Sequence, residues 1–590
     1  MITKKFQKVL SASTLSAVIG LGMVAMSPAF AAPAAHHGHH GHAAAPIAAS
    51  DTAYLLVAPD RGFLGNSELQ DSFDVFAKGR NATLVYTTDD RTQKSVTEAV
   101  STLVKAGAKR VVVLPFFLSD ADPGYQRVQA ILKDSQARAG AAITWSQPFG
   151  DSYFAVEMLT QRLKGIAQAK GRTAIIVSTG AVDAKSQKGM RDDVERIAKL
   201  AADGLEFKAV KVVVNASNGA LKGELEAAVK GAERPVIVPF HLGKKLDGMM
   251  SFDAALQEAT PKGVELIEGE LASHAAMPLW FGREANRAAT LRPEEIGVLL
   301  MAHGSDHHWN ETMINAVKPL TSRYMIEPAL SMADPIVTER GIRRLEQRGA
   351  KAIVIVRVFG LSDSFKSDVE RMIGADVEAA AQHAAMGHAA NHGGHGGHGG
   401  HGGHGGHGGH GMMMGNQRIL SSALMTSVGG LDAHPLFAEA LLDRAKALSK
   451  DPKKETVILV AHGTSSNARN TEWEENLATL TRTMRAKGGE SFRAIKSATW
   501  REDWPDLREP SIAKVRKFVE EGQKDGGRVI VIPARTTAQG PEKRLLEGLT
   551  FAHGSGFAPH DKFVAWFEEQ IQSGIAALGQ QDRSNGHHGH

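Results

Sequence analysis

Val298-Leu-Leu-Met-Ala-His303-Gly304-Ser305 is written a second time, further along the chain, as Val457-Ile-Leu-Val-Ala-His462-Gly463-Thr464. An unbroken apolar run of this length reads as a parallel strand buried on both faces. In open α/β sheets the turn after such a strand opens on the ligand crevice. Each copy therefore delivers an imidazole, the commonest metal ligand and general base, to a candidate site. A histidine there also serves as an ordinary hydrogen-bonded turn or core residue. Its repetition in one context weighs towards metal or proton chemistry.

The layout recurs twice upstream. Tyr54-Leu-Leu-Val-Ala-Pro59-Asp60 and Ala174-Ile-Ile-Val-Ser-Thr179-Gly180 open segments of the same plan. After each opening strand come an amphipathic stretch, a second extended segment and another helix. The helices end at Gly107-Ala108-Lys109, Gly231-Ala232-Glu233, Gly349-Ala350-Lys351 and Gly526-Gly527-Arg528, and each is followed by a buried strand such as Val111-Val-Val-Leu-Pro115 or Val529-Ile-Val-Ile-Pro533. Strands alternating with helices imply right-handed βαβ units and parallel sheets. The expected fold is α/β, with four units paired one with two and three with four as two bilobal modules.

A closing element sets the boundaries. Asp432-Ala433-His434-Pro435 precedes an amphipathic helix, as does Ala558-Pro559-His560-Asp561; Gly150-Asp151-Ser152 and Ala272-Ser273-His274 are weaker echoes. The four units are expected at 51–169, 172–288, 295–449 and 455–578. The third then encloses a His/Gly-rich insertion, 383–411, beside a folded site. Both closing histidines read as helix caps.

Residues 1–31 combine Lys4, Lys5 and Lys8 with an apolar stretch and Ala29-Phe30-Ala31, the pattern of a cleavable secretory signal peptide. The expected location is periplasmic or secreted. No later stretch is long and apolar enough for a stable membrane anchor. The chain has no cysteine, which excludes disulfides and thiolate metal sites. A net charge of +4 with interspersed signs and no basic, aromatic-interleaved stripe argues against nucleic acid as a partner.

Histidine is concentrated in three tracts: 36–42 within a His-rich segment 32–50, the insertion, and a tail 579–590. They hold 17 of the 26 histidines. The insertion repeats His-Gly-Gly through His392, His395, His398, His401, His404, His407 and His410. Too polar to fold alone, such a ribbon offers imidazoles to a divalent transition metal, with nickel, copper, zinc and cobalt favoured over magnesium or calcium, or else acts as a spacer; for the protein as a whole cobalt, nickel, zinc and iron are the candidates. Composition does not choose the ion.

With the strand-His-Gly-Ser/Thr turns, later strands ending in Pro or Arg, and the closing His element, the chain resembles the sirohydrochlorin cobaltochelatase family, the class II, ATP-independent tetrapyrrole metal chelatases. The resemblance is strongest in the third and fourth copies and thin in the first two. It implies two lobes around a cleft in which histidines and an acid hold a divalent ion and take up pyrrole protons, with a tetrapyrrole as partner. The matching ligands are His303 and His462. A second family histidine is missing from Gly360-Leu-Ser-Asp363 and from Gly540-Pro541-Glu542. Glu542 stands either as a substitute ligand or base, or as a surface carboxylate opening a helix. His307 and His308 join His303 around one ion or form an exposed pair. His241 lies near the second ligand position of copy two, while Pro59 and Thr179 occupy the first position in the degenerate copies. Glu509 either fills a place where relatives carry an acid or is a helix-start carboxylate stabilised by the macrodipole, and Trp473, Trp500 and Trp504 offer either a flat wall to a macrocycle or core packing. The implied function is insertion of cobalt or nickel, before iron, into a sirohydrochlorin-like ring. The alternative is a non-catalytic metal- or tetrapyrrole-binding delivery protein.

Overall fold

The computed structural model describes residues 51–88, 91–243, 246–247, 250–269, 271–379, 417–537 and 540–584. The expected signal peptide, the His-rich segment 32–50, the insertion and the tail histidines lie outside the described residues, while 579–584 continue the last helix. Four sheets of four parallel strands follow one another along the chain, and every sheet has the same strand order, second-first-third-fourth. In the first unit these are Ala82–Thr87, Thr52–Pro59, Arg110–Pro115 and Ala142–Trp145; in the second, Ala209–Asn215, Thr173–Thr179, Val236–Pro239 and Glu265–Leu266. The third uses Met325–Leu330, Ile296–Ala302, Ala352–Val358 and Leu424–Gly429, and the fourth Ala494–Thr499, Glu455–Ala461, Arg528–Pro533 and Ala552–His553.

The opening strands are central, which explains their unbroken apolar sequence. Every residue of Ile296–Ala302 and of Glu455–Ala461 is buried. Helix starts follow local chemistry. Asp306 accepts from Trp309 N at 3.0 Å and Ser466 from Arg469 N at 3.4 Å, each satisfying an amide the helix itself leaves without a partner.

Each pair of units exchanges its closing helix. Tyr153–Lys164, at the end of the first unit, packs on the second unit's Ala184–Ala202. Its Arg162 donates to Pro239 O at 2.7 Å and Thr160 to Ala201 O at 3.1 Å. In return Met277–Ala288 of the second unit packs on the first, where Trp280 meets Phe116 and Phe149, and Phe281 meets Phe73 and Phe76. The other pair repeats the exchange. Asp561–Ser584 crosses to the third sheet, and Pro435–Leu448 packs on the fourth unit's Asn467–Met484 and on Arg528–Pro533. The expected pairing into two bilobal modules follows from this swap.

The third sheet joins the modules by strand alternation. Leu299, Met301, Ile353, Ile355 and Met425 share a core with the first two units, whereas Val298, Leu300, Val354, Val356 and Leu424 share one with the fourth. A buried polar seam reinforces the first of these contacts. Arg283, 1% exposed, donates to Ala423 O and to Glu378 Oε1, both at 2.6 Å, while the Tyr153 hydroxyl donates to Ile419 O at 3.1 Å. Burial pushes the Glu378 carboxyl up, but Arg283 and Arg287 outweigh it and hold the group below its ordinary value.

The same seam locates the insertion. Glu378 and Arg418 flank the undescribed 380–416, and Arg418 Nη2 donates to Asp376 Oδ2 at 2.7 Å while Ile419 N donates to Met372 O at 2.7 Å. Leu424 then pairs with Ala352 at the first residues of their parallel strands. The flanks thus leave the third unit at the N-terminal edge of its sheet, whereas His303 follows the C-terminal end. The expectation of a ribbon rooted beside that histidine is corrected: both roots are drawn to the opposite edge by the seam.

Candidate metal site at the strand ends of the second module

His462 follows the last residue of the strand Glu455–Ala461. Its Nδ1 lies 2.8 Å from Gly463 O; a carbonyl only accepts, so Nδ1 carries the proton. Nε2 is thereby turned to two carboxylates, Asp503 Oδ2 at 2.9 Å and Glu502 Oε1 at 4.0 Å. Fixing one ring nitrogen on a backbone carbonyl orients the other for a metal. Trp473 stacks on the imidazole at 6.4 Å and 23°, and Trp504 meets it edge-on at 5.5 Å. A Cβ on Gly360, just beyond the third unit's strand Ala352–Val358, would come within 2.6 Å of Trp473, so this indole wall is shared between the third and fourth units.

His303 repeats the arrangement in outline. Its Nδ1 lies 2.6 Å from Gly304 O, and the ring meets Trp309 edge-on at 6.3 Å. Both turns need glycine. Gly304 and Gly463 have φ of 75° and 78°, and a Cβ would strike Leu330 O in the first and come within 2.7 Å of Asn470 Oδ1 in the second. The other expected donors do not converge on His303. His307 faces Glu311 at 3.6 Å and its ring is 5.8 Å from that of His308. Among the described residues no three histidine, aspartate or glutamate side chains gather as a metal cage.

One fourfold feature escaped the sequence reading. A side-chain amide early in the following helix accepts from a backbone N–H of the turn in every unit: Asn66 from Arg61, Gln187 from Ala181, Asn310 from Ser305 and Asn470 from Thr464, at 2.9, 2.9, 3.0 and 3.4 Å. Asn or Gln five or six residues after the turn was the available signal. In the fourth unit Arg501 adds bonds to Thr464 O and Ser465 O, both at 2.7 Å.

Glu502 and Asp503 were also missed, although acids three and four residues beyond a parallel strand stand in the turn that opens on the crevice. Glu509, proposed for that role, is exposed and 3.4 Å from Arg508. Glu542 is no surface residue: it is fully buried, accepts from Trp500 Nε1 at 3.2 Å and lies 3.4 Å from His553 Nε2. The carboxylate faces inward because the short helix Glu542–Leu545 packs over Trp500. Burial raises its pKa, but His553, its own backbone amide and Arg535 prevail and hold it low. Trp500 is core, while Trp473 and Trp504 wall the site.

The corresponding positions of the first module are filled. Both ring nitrogens of buried His241 are engaged, with Gly243 O at 2.9 Å and Asp253 Oδ1 at 3.1 Å. Gly243 packs against Arg61 and Gly65, across the turn that carries Pro59. Beyond Thr179, Gln187 reaches back to Val214 O and closes the turn.

Residues 65–166 match the family model CbiX. That stretch is similar to the CbiX family. The match falls on the first copy, where the resemblance had been placed as thin. It begins after Pro59, so it rests on the scaffold and not on the altered ligand position. The other three units share its strand order. Solved structures similar to the chain include SirB from Bacillus subtilis with Fe3+, at 17% identity over 38% of this chain and 91% of that one, TM-score 0.29. The sirohydrochlorin chelatase SirB of Bacillus subtilis subspecies spizizenii in complex with cobalt matches at 18% over 38% and 90%, TM-score 0.27. DR2241 from Deinococcus radiodurans, a multi-domain protein with structural similarity to chelatases, matches at 16% over 48% and 55%, TM-score 0.29. No curated protein matches in sequence.

Proposed function

We propose that this is an exported, chelatase-like metal-handling protein whose second module passes a divalent ion, cobalt or nickel before iron, to a sirohydrochlorin-like tetrapyrrole without ATP. One observation carries the reading: Nε2 of His462 is oriented between Asp503 and Glu502 and walled by Trp473 and Trp504. The His462 ring, fixed through Nδ1 on a backbone carbonyl, would hold an ion through Nε2 and release it. Exposed Asp503 would accept a pyrrole proton. The two indoles offer apolar faces to a macrocycle. His303 would contribute from the third unit, and the His-Gly-Gly ribbon would collect ions outside the cytoplasm, where the leader at 1–31 would send the chain.

The test is incubation of the full chain with sirohydrochlorin and Co2+ or Ni2+, followed by absorbance. A rate above the protein-free control, lost in His462→Ala, is expected. Equal rates would overturn the enzymatic reading. A second reading, a non-catalytic metal- or tetrapyrrole-binding delivery protein, is favoured by the lack of a three-donor cage among the described residues. It predicts binding of the ion at His462 without insertion.

A further inference from the structure

The helix that supplies the Trp473 wall also carries a cation that the proposed chemistry does not use. Arg469, four residues before Trp473 in Asn467–Met484, shares its face, one turn nearer the start of the helix. Both residues meet the third unit. Gly360 packs against the Trp473 indole, and three residues further along the same turn Asp363 accepts from Arg469 Nη2 at 2.7 Å. The pair is open to solvent, with 38% of the arginine side chain and 48% of the aspartate exposed. The other arginines placed around His462 are committed. Arg501 is buried and spent on Thr464 O, Ser465 O and Asn467 Oδ1, at 2.7, 2.7 and 2.9 Å. Arg535 is ion-paired with Glu502. Among the described residues the Arg469 guanidinium, with its fork of N–H donors, bonds only Asp363, through one oxygen.

We propose that Arg469 is the residue by which this site selects its ring: a carboxylate of an acid-bearing macrocycle displaces Asp363 and takes the Arg469 guanidinium in a bidentate fork. The inference rests on the tetrapyrrole reading above and names the substrate class within it. Asp363 is a placeholder. It holds the guanidinium through one oxygen at an exposed place, where an ion pair contributes little. A carboxylate free to align both oxygens with the planar fork binds better than one tethered to the turn of another unit. The charge already at the site calls for such a cation. Asp503, facing Nε2 of His462, sets a negative charge where a metal ion is welcome and an anionic ring is not. Arg469, on the helix that carries the Trp473 wall, offsets it once Asp363 is displaced.

The experiment is titration of the full chain with metal-free uroporphyrin, a carboxylate-bearing ring, followed by the ring's own absorbance. A porphyrin of the same core bearing N-methylpyridinium cations is the control. Arg469→Gln is expected to weaken uroporphyrin binding about tenfold, the scale of a lost hydrogen bond to a charged group, and to leave the cationic ring no weaker. Asp363→Asn should tighten uroporphyrin binding about threefold by freeing the guanidinium, and this gain should disappear in an Arg469→Gln background. Both side chains are exposed, so neither change disturbs the core. Ni2+ held at His462 quenches the emission of the indoles beside it. That quenching, assigned by its loss in His462→Ala, should not weaken in Arg469→Gln. An unchanged uroporphyrin midpoint in Arg469→Gln, an equal loss for both rings, or a gain from Asp363→Asn that persists in full without Arg469 would overturn the proposal. So would a Ni2+ midpoint that weakens in step with ring binding, since Arg469 would then act through the fold. The tetrapyrrole reading fails separately. Uroporphyrin binding absent from the parent, or surviving in Trp473→Leu, Trp504→Leu, rejects the site itself, whereas binding that needs the indoles but ignores Arg469 sinks the ring-selecting role alone.

Discussion

His560 Nε2 lies 3.7 Å from Asp443 Oδ2, so the residue that caps the fourth unit's closing helix also touches the closing helix of the third. His434 does the reverse, reaching Glu569 at 3.4 Å. Each ring uses Nδ1 as the cap, accepting from Lys562 N at 3.1 Å and Leu436 N at 3.3 Å. In the first module His274 caps Ala276 N at 3.1 Å and faces Gln161 of the exchanged helix at 3.3 Å. The swap is thus pinned by capping histidines in both modules.

That gives a pH dependence. Burial, then Arg444, lowers the His560 pKa, while Asp443 and Asp561 pull it back; burial and Arg162 lower that of His274. A histidine held below its ordinary 6.5 adds stability above that pH and loses it as pH falls. Thermal midpoints should therefore drop below pH 6.5. A His274→Asn, His560→Asn variant, which keeps the capping acceptor, should show a shallower drop. Identical slopes would refute the assignment.

Glycine at the two ligand turns makes a contrast with Gly79. Gly79 has a φ of 76° and open space around its Cβ direction, so Gly79→Ala meets only left-handed strain, about 1 kcal/mol. Gly463→Ala adds contacts at 2.7 Å with Asn470 and 2.9 Å with Arg501. Its cost is expected to exceed that of Gly79→Ala, at roughly 1–3 kcal/mol, with weaker Ni2+ quenching as well. Urea unfolding of both variants measures the difference, and equal costs would contradict the packing argument.

The seam between modules should be expensive to break. Arg283→Ala would leave buried Glu378 with one of its two arginines, and loss of a partner from such a pair costs about 3–5 kcal/mol. Unfolding of the parent should be cooperative across the modules, and that of the variant biphasic. A single unshifted transition in the variant would show the seam to be unimportant.

The features legible in sequence are those fixed by short-range periodicity. Apolar runs marked the four opening strands, and His434 and His560 could be read as caps because a cap's partner lies two residues away. What was hidden depends on residues far apart. Trp280 carries nothing in its own segment that assigns it to Phe116 and Phe149 of another unit. Glu542 looked like a helix-start carboxylate because Trp500 and Arg535, which enclose it, come from other strands. The turn amides were overlooked for another reason: Asn66, Gln187, Asn310 and Asn470 differ in type and offset, so their spacing of five or six residues is only a loose signal.

The insertion can be removed without straining the fold, because its roots already touch. Arg418 meets Asp376 and Ile419 meets Met372 on either side of it, and Arg283 ties Glu378 to Ala423. Closure entropy changes slowly with loop length, by about 0.6 kcal/mol per doubling. Replacing 383–411 with a short Gly-Ser link should therefore leave the thermal midpoint within a degree or so, roughly the effect of a few tenths of a kcal/mol. Calorimetric titration should then show fewer Ni2+ or Co2+ ions per chain, while quenching at His462 persists, since the roots stand at the opposite edge of the third sheet. Unchanged stoichiometry would make the ribbon a spacer. Loss of the His462 signal along with the ribbon would mean that the two act as one site despite that separation.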